Sequence, residues 1–153
     1  MKVMTAVNIL TVKSVAFKMN AQIPEKYTCE GEGINPPLEI NNIPEEARSL
    51  VLIVDDPDAH KGFFTHWIVW NIPPDNSIEE DSNPGISGLN SAHKTGYHPP
   101  CPPSGSHRYY FKLYALDTSL DLEVGESREV LEDVMRDHII AQGELMGHYA
   151  RPK

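Results

Sequence analysis

Five short segments dense in Val, Ile, Leu and aromatic residues recur along the chain, and the stiff connections between them constrain the fold most. They are "VNILTVKSVAF" (7–17), "SLVLIVDD" (49–56), "THWIVWNI" (65–72), "RYYFKLYAL" (108–116) and "IIAQGELMGHYA" (139–150), each bounded by Pro, Gly, Asn or Asp. Runs of this length, rich in β-branched and aromatic side chains and closed by turn residues, read as strands. Only "SREVLEDVMRDH" (127–138) has a helical period, with Val130, Leu131, Val134 and Met135 on one face, Ser127 placed to cap and Glu129 in the first turn. Between the strands lie "GEGINPP" (31–37), "NIPP" (71–74), "SNPGISG" (82–88) and a proline-rich stretch that begins at 98. Long, proline-stiffened links carry a chain from one sheet to another, so the pattern predicts a mainly β fold, a Greek-key β-sandwich with one or two short helices. With 153 residues and no repeat, low-complexity tract or linker, residues 1–153 are expected to form a single domain.

Charge narrows the partners. The formal net charge is -9 and no run of Lys or Arg exceeds two, so the basic footprint of a nucleic-acid binder or of a protein held on an anionic membrane is missing. The opening "MKVMTAVNIL" has neither a small-residue cleavage site nor an apolar run of membrane-spanning length. Cys29 and Cys101 are widely separated and form no CxxC. Free thiols in a cytoplasmic chain are therefore expected.

Two stretches carry the chemistry. In "DDPDAHKGFFTHWIVWNIPP" (55–74) an apolar strand ends in Asp55, Asp56, Pro57 and Asp58, and a loop leads to His66 at the start of the next strand. In "HPPCPPSGSHRYYF" (98–111) a proline-rich loop delivers His107, Arg108 and Tyr109 to a third strand. If both ends lie at one sheet edge, Asp56, His66, His107 and Tyr109 converge. Two His and a carboxylate are a known metal set, yet there is no HxH, HExxH or Cys pair, and no metal or other cofactor is expected. Ser104 and Ser106 adjoin His107, but neither sits in a GxSxG elbow. An anion pocket demands less. Imidazolium and tyrosine donors with loop N–H groups hold a phosphate-sized ligand, prolines keep the loop stiff, and Asp56 favours and orients the protonated imidazoles. Arg108 is expected to pair with Asp56 or Asp58. Trp67 and Trp70 belong to the core or its edge, and Phe63 and Phe64 to the core or a pocket mouth. His93, His98 and the acidic run 79–81 are expected to face solvent.

"DDPDA", "FTHWIVWNIPP" and "PCPPSGSHRYYFKLYALD", together with "YTCEGEGINPPLEI" and "AQGELMGHYAR", resemble the prokaryotic, Raf-kinase-inhibitor-like branch of the phosphatidylethanolamine-binding protein family. The resemblance covers most of the chain. It implies a Greek-key sandwich with a pocket for phosphate or phosphorylated head groups, without a metal and without established catalysis. The family's pocket positions fall on Asp56, Asp58, His66, Pro102, Pro103, Gly105, His107 and Tyr109, supported by Arg108 and Trp67. The family also includes inhibitors of kinases and serine proteases, and prokaryotic members that form homodimers. His60, after "DPDA", and Pro100 depart from the branch's usual residues. The first adds a titratable group at the rim and the second removes a backbone donor. The expectation is a small, non-enzymatic binding or regulatory protein that holds an anion and inhibits a partner enzyme. The alternatives are a dedicated serine protease inhibitor acting through an exposed loop and a hydrolase using His and Asp.

Overall fold

The structure, a computed structural model, describes residues 8–60 and 62–152. In chain order its strands are β1 (Asn8–Ile9), β2 (Thr11–Lys13), β3 (Ala21–Gln22), β4 (Leu38–Asn41), β5 (Ser49–Ala59), β6 (Gly62–Ile72), β7 (Ser77–Ile78), β8 (Ile86–Ser87), β9 (Ser106–Leu116) and β10 (Ile139–Ala150). One α-helix, α1 (Arg128–Met135), precedes β10. Seven strands make a mixed sheet in the order β1-β10-β9-β5-β6-β8, with β3 also on β10, and β2-β4-β7 make a second, antiparallel sheet. After the β5–β6 hairpin the chain visits β7 in the other sheet and β8 at the edge, and β9 then returns beside β5. That crossing is the Greek-key step, and the proline-rich links are the segments that make it.

The central strand explains the longest apolar run. Leu50, Leu52 and Val54 face the space between the sheets and pack with Val12, Leu38, Ile40 and Ile78. Val51 and Ile53 face the other way, onto Leu120 and onto Leu131 and Met135 of α1. Both faces are covered, so the sequence is continuously apolar and does not alternate. Trp67 and Trp70 divide the same way, the first into the inner core and the second under the helix.

Several expectations need correction. The run 7–17 is not one strand: Val7 lies outside the described residues, and the rest splits between two sheets as β1 and β2. The chain changes sheet at Leu10, whose N–H still donates to Gln142, and beyond Lys13 the Ser14 hydroxyl accepts from the Ala16 N–H and ends the extended run. β5 and β6 overrun their apolar cores and meet at an Ala59–Gly62 pair, so Asp56 to Asp58 sit within a strand. The helix is capped at Ser127, whose hydroxyl accepts from the Val130 N–H, but it stops at Met135 and continues only as a 3-10 turn, Arg136–His138. Leu131 and Met135 are its buried residues, and Val130 and Val134 are exposed. The cysteines are not free. Cys29 and Cys101, 72 residues apart, form a disulfide with their Cα atoms 5.4 Å from each other, which removes one support for a reducing, cytoplasmic compartment. No described helix is long and apolar enough to cross a membrane.

Candidate functional site

Alternation along β5 and β9 and a bulge in β6 aim the site residues at one end of the inner face. On β5 the inner face takes Leu52, Val54 and then Asp56; on β9 it takes Phe111, Tyr109 and His107. On β6 simple alternation fails. Val54 pairs with Trp67 but Asp55 pairs with Thr65, so one residue of β6 has no counterpart. This bulge lets His66 and its neighbour Trp67 both face inward, His66 into a cavity and Trp67 into the core. Trp67 supports from behind, edge-on to Tyr97 at 5.5 Å.

The four convergent residues expected from the sequence are brought together. Asp56, His66, His107 and Tyr109 line a cavity of about 210 Å³. His107 Nδ1 lies 2.7 Å from Asp56 Oδ2. A carboxylate accepts, so Nδ1 carries the proton and the ring is oriented by Asp56. The other oxygen of Asp56 accepts from the Asp58 N–H at 2.8 Å, which accounts for both oxygens of this buried carboxylate. His66 Nδ1–H donates to the His98 carbonyl at 2.7 Å, and the His98 N–H donates back to the His66 carbonyl at 3.0 Å. The His66 ring is flanked by Phe64 at 4.7 Å and edge-on by Tyr109 at 5.2 Å. Burial pulls the His66 imidazole down to about 4, against a smaller upward pull from its bond to His98. It also raises the Tyr109 phenol, with Asp56 adding to the rise. His66 is therefore neutral where the sequence suggested a second imidazolium, because desolvation outweighs the carboxylate.

The loop that follows closes the wall. Pro102, Pro103 and Cys101 line the cavity, with His60 among the lining residues on the β5–β6 side. The disulfide ties this wall to the segment after Tyr27, alongside a Cys29 N–H bond to the Pro100 carbonyl and a Tyr97 hydroxyl bond to the Tyr27 carbonyl. Pro100 thus keeps an acceptor in use. Gly105, at φ +69°, takes the left-handed turn that admits β9. It shapes the loop and does not line the cavity.

Asp58 is likewise displaced from its expected role. It accepts from the Arg108 N–H and Nε at 2.9 Å each and from Nη2 at 2.8 Å, and this fork holds its carboxyl down to about 2. Asp58 and Arg108 brace the β5 and β9 ends and lie on an adjoining groove with Ser104 and Ser106. His98 was expected in solvent but is a half-buried member of the cavity wall, and burial lowers its pKa. His93 is exposed as expected. In the acidic run, Glu80 is held by the Tyr27 hydroxyl at 2.5 Å and Lys26 at 3.1 Å, so it is not simply solvated.

The sequence reading missed Asp55. It points to the opposite face, 1% exposed, and is gripped by Arg128, with one bond from Nη2 at 3.0 Å and a second from Nη1. Lys112 stands 3.3 Å away and Thr65 accepts from Arg128 at 2.8 Å. Two adjacent carboxylates in a strand must face opposite sides. That parity was the available signal.

Comparison with known proteins agrees with this architecture. The family model described as phosphatidylethanolamine-binding protein matches residues 13–150. A UPF0098 protein of Methanothermobacter thermautotrophicus is 46% identical over 93% of this chain and 99% of its own length, and one of Pyrococcus horikoshii is 52% identical over 93% and 77%. Among solved structures, a phosphatidylethanolamine-binding protein homologue of Chlamydia trachomatis superposes with a TM-score of 0.91 at 46% identity, covering 95% of this chain and 99% of that one. YbcL of E. coli, described as a member of the mammalian family, superposes with a TM-score of 0.85 at 26% identity over 94% and 99%. The chain belongs to the phosphatidylethanolamine-binding protein family.

Proposed function

We propose that the chain is a binding protein whose cavity holds a small anionic group, phosphate or a phosphorylated head group, and that it works without catalysing a reaction. The observation that carries this reading is the Asp56–His107 pair facing the same cavity as His66 and Tyr109. At about 210 Å³ the cavity suits a head group and not a drug-sized molecule. The His107 ring, held in place by Asp56, and the Tyr109 hydroxyl are the polar groups offered to an oxyanion. Against catalysis, Ser104 and Ser106 lie on the adjoining groove and not in the cavity, and the Cys101 sulfur is tied up in a disulfide. Titrating inorganic phosphate or phosphoethanolamine by NMR tests the reading: shifts of cavity residues are expected in the wild type and lost in His107→Ala. Identical shifts in both proteins overturn it.

An inhibitory role towards a partner, a serine protease or a kinase, is carried by the family likeness. One observation favours the protease: residues 103–106 form an exposed tip on a loop braced by prolines and the disulfide, and a stiff exposed loop loses little entropy on docking. Incubating trypsin-like and chymotrypsin-like enzymes with a molar excess of the protein is expected to lower their residual activity; unchanged activity removes this reading.

A further inference from the structure

We propose that the pocket prefers tetrahedral oxyanions that carry a proton of their own, such as phosphate with a P–OH, over isosteric ones with none, such as sulfate, and that His66 Nε2 is the acceptor that reads this proton. The inference rests on the anion-pocket reading and narrows its ligand class.

The tautomer comes first. A carbonyl oxygen only accepts, so the 2.7 Å contact to His98 fixes the His66 proton on Nδ1. The return bond from the His98 N–H locks strand and loop together, and a ring flip would forfeit the Nδ1 bond. Nε2 is left with its lone pair. Among the described residues the buried side-chain N and O atoms without a partner are Trp67 Nε1 and Tyr149 Oη. His66 Nε2 makes no hydrogen bond either and is not one of them, so it is reached from the cavity that the ring lines.

The charge state follows from burial. His66 is 4% exposed and packed between Phe64 and Tyr109, and its depressed pKa keeps the ring neutral near pH 7. It therefore offers a lone pair and no second N–H. Among the described residues no Lys or Arg lines the cavity, while the Asp56 carboxylate does. An oxyanion without a proton would set a lone pair against Nε2 and bring its full charge beside Asp56. One with a P–OH donates to Nε2 in the same shape, and as hydrogenphosphate it carries the same charge as sulfate, so the hydrogen bond is what separates the two. A site built around a buried acceptor rejects the isostere that cannot donate, because the acceptor is left unpaired.

The test compares inorganic phosphate with sulfate at pH 7 by calorimetry on the intact chain. Phosphate keeps at least one proton at that pH; sulfate keeps none. The wild type is expected to bind phosphate at least about tenfold more tightly, the ratio that one net hydrogen bond supplies. His66→Asn keeps a donor at the Nδ1 position for the His98 carbonyl and so preserves the loop contact, but has nothing at Nε2; its phosphate-to-sulfate ratio is expected to fall to about one. His66→Gln, with an amide at the Nε2 position, is expected to keep part of the preference. Equal affinity of the wild type for the two anions overturns this inference and leaves the anion pocket standing. A ratio unchanged in a folded His66→Asn protein overturns the assignment to His66. Binding of neither anion overturns the pocket reading, and this inference with it.

Discussion

Asp55 and Asp56 are neighbours on one strand, equally shut off from solvent at 1% and 3% exposure, and they live under different electrostatic regimes. Asp55 is neutralised by two permanent cations, Arg128 and Lys112, and ties α1 to the sheet. Asp56 has one imidazole and one backbone N–H, and it opens onto a cavity. A buried carboxylate with fixed cations is a fastener. One held by an imidazole and a single backbone N–H beside an open space is suited to recognition.

The contrast breaks most sharply at Asp55. Asp55→Ala leaves Arg128 and Lys112 without their buried counter-ion and is expected to cost about 3–5 kcal/mol in denaturant unfolding, with phosphate shifts at the cavity retained. If the two sites are coupled through β5, those shifts are lost as well. The inner face is expected to respond to acid. His66 stays neutral in the fold down to about 4 but titrates near 6.5 when unfolded. Its contribution is complete above pH 6.5 and is lost as pH falls towards 4, by up to about 3 kcal/mol. Subtracting the stability profile of His66→Phe from that of the wild type isolates this slope. A flat difference shows that the ring does not resist protonation.

Asp56→Ala is a smaller perturbation of the fold, about 1–2 kcal/mol, because His107 lines the open cavity and Asp58 the adjoining groove, so water reaches the His107 Nδ1–H and the Asp58 N–H that it strands. Its expected signature is loss of phosphate binding, the reverse of Asp55→Ala. Arg108→Ala is the mildest. The guanidinium lies in solvent, so its removal is expected to leave the unfolding midpoint nearly unchanged, while the Asp58 carboxyl, held at about 2, returns towards the ordinary value in an NMR titration.

The strand sequence and the site were legible to different depths. Long runs such as 139–150 matched β10 end to end, because an apolar, turn-bounded segment of that length has few other homes. Strands of two to four residues, such as β3, β7 and β8, carry too little pattern to be seen, and β1 and β2 were merged because a change of sheet at Leu10 leaves no polar mark. His66, His107, Asp56 and Tyr109 converged as expected, since all four sit where strands meet the proline loop. His98 was missed because its placement depends on a long-range bond to His66. The charge of His66 was misjudged because burial, unlike a neighbouring carboxylate, cannot be read from adjacent residues. Asp58 failed as a lining residue because Arg108, four strands on in the chain but on the strand next to β5 in the sheet, claims it. The cysteines, 72 residues apart, give no local sign of their pairing.

That pairing divides the pocket between two stretches of chain. Asp56, His66 and His98 belong to the covalent ring that Cys29 and Cys101 close, while His107 and Tyr109 lie outside it. One cut within the ring, for example by trypsin after the exposed Lys94, leaves both contributors joined at the cavity wall. Such a nicked molecule runs as a single species without reductant and separates into two fragments once a dithiol is added.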